Sequence, residues 1–81
     1  MTFTAHINVM PLKELLDPQG KAVMSGLKNL GITQINDVRI GKHITLQIEA
    51  ATKEEALALA ENACQKLLAN QVMESFEVTI Q

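Results

Sequence analysis

The sequence predicts an α+β domain with the element order β-α-β-β-α-β. With right-handed crossovers and short connections this order gives a ferredoxin-like sandwich, two helices on one face of a four-stranded antiparallel sheet. Three observations carry the prediction. Apolar and polar residues alternate at Phe3–Val9, at Val38–Ile40 and Ile44–Ile48, and again at Phe76–Ile80, the period of half-buried strands. Two intervening stretches place apolar residues at helical spacing, each behind a capping residue. Eighty-one residues suffice for one core and no second domain, so residues 1–81 are read as a single unit.

Each element can be justified in order. Phe3, Ala5, Ile7 and Val9 alternate with Thr4, His6 and Asn8, a strand with one apolar face, and the connection from Met10 to Leu16 contains Pro11, which suits a strand exit. Asp17-Pro18 starts a helix: aspartate accepts from free first-turn N–H groups, and proline is tolerated at the first helical position. Val23, Met24, Leu27 and Leu30 follow at helical spacing, and Gly31 supplies a left-handed stop. Gly26 inside this helix costs about 1 kcal/mol relative to alanine and marks a candidate close approach to a neighbour.

The stretch from Ile35 to Glu49 reads as a β-hairpin. A loop of Gly41-Lys42-His43 sets Ile40 against Ile44 and Val38 against Leu46, keeping every apolar side chain on one face, whereas a one-residue slip scrambles it. Thr52-Lys53-Glu54-Glu55 then matches a capping box. Ala56, Leu57, Ala60, Ala63, Cys64, Leu67 and Leu68 form the apolar stripe of a second helix, which Asn70 terminates. Phe76, Val78 and Ile80 make the last strand. On this reading Arg39 lies with Thr4, His6, Asn8, Thr45, Gln47, Glu49, Glu77 and Thr79 on the sheet face away from the helices, and Lys42 lies in the hairpin loop.

Composition excludes several classes. A formal charge of −2 and two aromatic residues provide neither the basic field nor the stacking platforms of a nucleic-acid surface. Both phenylalanines also fall on the helix-facing parity, which argues against an RNA-binding module of the same element order. A single cysteine permits no intrachain disulfide and fits a reducing compartment. No signal peptide or membrane span is readable, so the expected setting is soluble and cytoplasmic. So small a core makes self-association or a larger partner a natural source of stability.

No side-chain set points to catalysis. His6 and His43 lack cysteine or carboxylate neighbours at ligand spacing. Cys64 sits in an apolar stripe without the base and electropositive setting a nucleophile needs. Glu54, Glu55 and Glu61 read as a helix start and a solvated face. Asp17 to Lys21 could offer helix N–H groups to an anion, but without a multi-glycine loop simple capping is the default reading. A small-molecule-binding regulatory domain of the amino-acid-sensor type shares the element order and is the alternative.

Several stretches together resemble the PurS family, the smallest subunit of phosphoribosylformylglycinamidine synthase. They are Leu12-Lys13, Leu16 through Val23, Leu27 through Gly31, Val38-Arg39-Ile40-Gly41-Lys42, and Asn70, Glu74 and Phe76-Glu77-Val78. Gly26 stands where that family usually has alanine, and Gln71 follows Asn70 where proline is common. The resemblance implies a non-catalytic subunit that works as a homodimer or homotetramer. It would join an ATP-dependent synthetase subunit to a glutaminase subunit and support ammonia transfer between them. The chain itself would bind no cofactor, since ATP, magnesium and glutamine are used by the partner subunits, and neither nucleic acid nor membrane is implied as a partner. On that expectation Asp17, Gln19, Lys21, Arg39 and Lys42 are the candidate subunit-contact residues.

Overall fold

A computed structural model describes residues Met1–Gln81. The chain forms β1 (Thr2–Pro11), α1 (Pro18–Asn29), β2 (Lys42–Glu49), α2 (Lys53–Ala63), a π-helical turn at Cys64–Leu68, and β3 (Glu74–Ile80). The sheet has three antiparallel strands in the order β2-β1-β3. It is an α+β fold with two helices, but the expected fourth strand is absent. Val38 and Ile40 do not pair with β2. Gly41-Lys42-His43 is not a hairpin loop either, because Lys42 and His43 belong to β2, opposite Val9 and Asn8 of β1.

Register follows side-chain parity elsewhere. Ile7 lies between Ile44 and Val78, Ala5 between Leu46 and Ile80, and Val9 between Lys42 and Phe76. The opposite face carries Thr4, His6 and Asn8 beside Gln47, Thr45, His43, Thr79 and Glu77, as the alternation requires. Pro11 ends β1 where β2 has already run out, so its missing N–H interrupts no ladder on that side.

The expectation of two helices on the sheet also fails. Only α2 lies across it, against all three strands. Its buried residues are Ala56 and Ala60, continued by Cys64 and Ala69. Thr52 caps it, its Oγ1 accepting from the Glu55 N–H at 3.2 Å. The small side chains let helix and sheet approach closely, and Ile7, Val9 and Cys64 are the largest side chains fully enclosed. Beyond Ala63 the Ala69 N–H donates to the Cys64 carbonyl at 3.0 Å, a wider turn that inserts one residue into the helical count. A helix continued through Leu68 would have buried Leu67. The π turn instead carries Ala69 into the core and leaves Leu67 83% exposed.

α1 and the segment that returns from it project beyond the sheet as an arm. The radius of gyration is 16.2 Å and the longest extent 51 Å, whereas a compact chain of this length has a radius of gyration of roughly 12 Å. α1 ends as the sequence predicts. Gly31 adopts φ +87°, its N–H donates to the Lys28 carbonyl at 3.0 Å, and the Ile32 N–H donates to the Leu27 carbonyl at 2.9 Å, the paired bonds of a Schellman stop. Residues 32–41 then run back past Gly20 and Met24 without a turn. Gly26 approaches nothing: a Cβ placed there meets open space.

Candidate subunit-contact surface

Asp17 is the residue on which the arm is hinged. Its Oδ1 accepts from the Gly20 N–H at 3.0 Å, the capping bond expected at the start of α1. Its Oδ2 accepts from the Ile40 N–H at 2.8 Å, tying the helix start to the segment just before β2. The Ile40 and Gly20 N–H groups and the nearby Arg39 guanidinium hold the Asp17 carboxyl below its usual 3.8, although partial burial opposes them. The anion position at this helix N-terminus is therefore filled by the chain's own carboxylate.

Gly20 makes the clasp sterically possible. A Cβ at this position would lie 2.0 Å from the Val38 carbonyl oxygen, so only glycine lets the two backbones approach this closely. Gly41 does the same at the base of the arm, where a Cβ would lie 2.3 Å from the Met10 Sδ and 2.4 Å from the Val9 carbonyl oxygen. Arg39 completes the junction, its Nη2 donating to the Pro11 carbonyl. It lies off the sheet, and so the expectation that it projects from the open sheet face is corrected. The strand that would have carried it there leaves the ladder at Lys42.

The structure divides the five predicted contact residues into three places. Asp17, Lys21 and Arg39 line one cavity of about 130 Å³ together with Lys13 and Asp37. Gln19 lies on the other side of the clasp, lining a groove of about 350 Å³ with Leu16, Ile40 and Met73. Lys42 faces a third groove, of about 490 Å³, bordered by Asn8, His43, Phe76 and Glu77. Leu16, Leu30 and Val72 are 68%, 77% and 81% exposed, so large apolar side chains lie open on the arm and at the turn before β3.

Sequence reasoning missed three features. The Asp17–Ile40 clasp joins residues 23 apart in the chain, and its only local trace is the pair of glycines that permit it. The turn before β3 is organised by Asn70, whose Oδ1 accepts from the Val72 N–H at 3.1 Å and whose N–H donates to Glu74 Oε1 at 2.8 Å. His6 and His43, taken separately as surface residues, are neighbours on the polar sheet face with ring centroids 5.6 Å apart. His6 bonds Gln81 at 2.9 Å and His43 bonds Asn8 at 2.7 Å. No three His, Cys, Asp or Glu side chains converge in a way that could hold a metal ion. Cys64 is enclosed, and burial, with Glu61 adding to it, pushes its thiol above the usual 9.0.

Residues 4–81 match the family described as PurS: Phosphoribosylformylglycinamidine (FGAM) synthase. The chain is 41% identical over 80 residues to the phosphoribosylformylglycinamidine synthase subunit PurS of Synechocystis, covering 96% of this chain and 80% of the relative. Its Bacillus subtilis counterpart is 41% identical over 71 residues, 86% of this chain and 83% of that one. Among solved structures, Bacillus subtilis PurS superposes with a TM-score of 0.88 at 34% identity, covering 98% of both chains. A chain of the Thermotoga maritima PurLQS structure superposes with a TM-score of 0.91 at 32% identity, covering 100% of this chain and 99% of that one.

Proposed function

The chain belongs to the PurS family, and from that premise we propose that it is the small non-catalytic subunit of a phosphoribosylformylglycinamidine synthase complex acting in purine biosynthesis in the cytoplasm. Its partners on this reading are an ATP-dependent synthetase subunit and a glutaminase subunit, and its work is to hold them so that ammonia passes from one to the other. The observation that carries the reading is the superposition on a chain of PurLQS over 100% of this chain, the arm and the sheet together. The physical surface agrees. The chain presents open apolar side chains and polar grooves, which suits a joining role. Self-association as a dimer or tetramer belongs to the same reading, since the buried core is small and Leu16, Leu30, Leu67 and Val72 stand open to solvent.

The test is reconstitution with the matching synthetase and glutaminase. Glutamine-dependent amidination of formylglycinamide ribonucleotide should require this chain, whereas activity driven by added ammonia should depend on it far less. Lys21→Glu and Lys42→Glu probe two of the contact places and leave the Asp17 carboxylate and its two backbone donors in place. A residue anchoring an interface contributes about 2 kcal/mol or more, roughly thirty-fold in affinity. Equal glutamine-dependent rates with and without the chain would overturn the reading.

A further inference from the structure

β1 and β2 bring His6 and His43 together on the polar sheet face. His6 pairs with Thr45 and Asn8 with His43, so the two histidines sit diagonally across the strands, their ring centroids 5.6 Å apart. Each ring is held by a side-chain amide. Gln81 Oε1 accepts from His6 Nε2 at 2.9 Å, and Asn8 Oδ1 accepts from His43 Nδ1 at 2.7 Å. A neutral imidazole carries one N–H and one lone pair. Because an amide oxygen only accepts, those two nitrogens carry the protons, and the lone pairs are left on His6 Nδ1 and His43 Nε2. An outer hydrogen bond of this kind fixes the tautomer of histidines that ligate metals.

From this pairing we propose that His6 Nδ1 and His43 Nε2 bind one divalent transition-metal ion of the imidazole-preferring class, zinc or copper(II). No third side chain is at hand, so water fills the remaining positions. The separation fits. An ion about 2.0–2.1 Å from a nitrogen lies roughly 3.2 Å from that ring's centroid, so two rings on one ion have centroids roughly 5 to 6 Å apart. His6 is half-buried on the central strand, whereas His43 is exposed on an edge strand, so one ring is held while the other adjusts. A hydrated ion reaches the pair from the groove of about 490 Å³ bordered by Asn8, His43 and Glu77. Two imidazoles without a carboxylate do not suit magnesium, which takes oxygen donors.

The test is a zinc titration of the full chain at pH 7.5 by calorimetry, with the imidazole nitrogens followed by NMR. His6→Ala and His43→Ala should each weaken binding about tenfold or more, and Asn8→Ala, which keeps both rings but releases the His43 tautomer, about tenfold. Thr45→Ala, on the same face, should leave the affinity unchanged. Zinc should shift the His6 Nδ1 and His43 Nε2 resonances, and millimolar magnesium should not displace it. Wild-type affinity in either histidine variant would mean that a single imidazole or another group holds the ion, which refutes the pair. Zinc-induced shifts at the opposite ring nitrogens, or no binding at millimolar zinc, would refute it equally. His43 is exposed, so His43→Ala decides the matter even where His6→Ala fails to fold.

Discussion

Gly20 and Gly26 lie in the same helix, yet the structure requires opposite responses to the same substitution. Alanine is favoured over glycine in a helix interior by about 1 kcal/mol. At Gly26 nothing lies within 4 Å of the added methyl, so Gly26→Ala should stabilise α1 by about that amount. At Gly20 the methyl would lie 2.0 Å from the Val38 oxygen and 2.9 Å from its carbonyl carbon, and both belong to backbone that cannot rotate away. Relief requires the helix start to separate from residues 38–40, against the 2.8 Å bond from Ile40 to Asp17. Overpacking of this kind costs about 1–3 kcal/mol. After the propensity gain, Gly20→Ala should destabilise the arm by about 1 kcal/mol. The two variants should then differ by about 2 kcal/mol, roughly thirty-fold in the amide-exchange protection of α1. Amides of β1, which belong to the separate sheet core, should change little in either. Shifts of the same sign in both variants would refute the reasoning, because propensity alone would then govern and the Gly20–Val38 approach would be irrelevant.

Further expectations concern the core, the clasp and the thiol. Ile7 is fully buried at the centre of β1, so Ile7→Ala should lower the unfolding free energy in urea by about 2–5 kcal/mol; a change below about 1 kcal/mol would place the core elsewhere. Asp17 is depressed below 3.8 by hydrogen bonds made only in the fold. Its contribution is therefore complete above the unfolded value and is lost as pH falls through the folded one. Protection of α1 should fall along that acid limb in the wild type and stay level in Asp17→Asn, and parallel profiles would exclude the clasp. Cys64 is enclosed with a raised thiol pKa, so iodoacetamide at pH 8 should modify the native protein far more slowly than the urea-unfolded chain; equal rates would mean that α2 does not seal the sheet.

The strand faces of β1, β2 and β3 were legible because alternation is a local property: a residue's parity decides its face whatever the strand pairs with. Both helix starts and the stop at Gly31 were legible for the same reason, since capping bonds span three or four residues. Asp17 was correctly placed as a cap, but only the folded chain reveals its second bond to Ile40, made across 23 residues. The same limit explains Arg39. Its alternation with Val38 and Ile40 reads as a sheet position, but parity cannot say whether a partner strand is present, and the chain supplies none. Leu67 marks the corresponding failure in a helix, where one extra residue in the π turn rotates everything after it and no local signal announces the insertion. What the sequence determined by itself was conformation set by neighbours along the chain. Which segments pair, where α1 goes, and which of the five contact residues share a cavity were decided by tertiary structure, because those depend on approaches between distant backbones that Gly20 and Gly41 permit but do not specify.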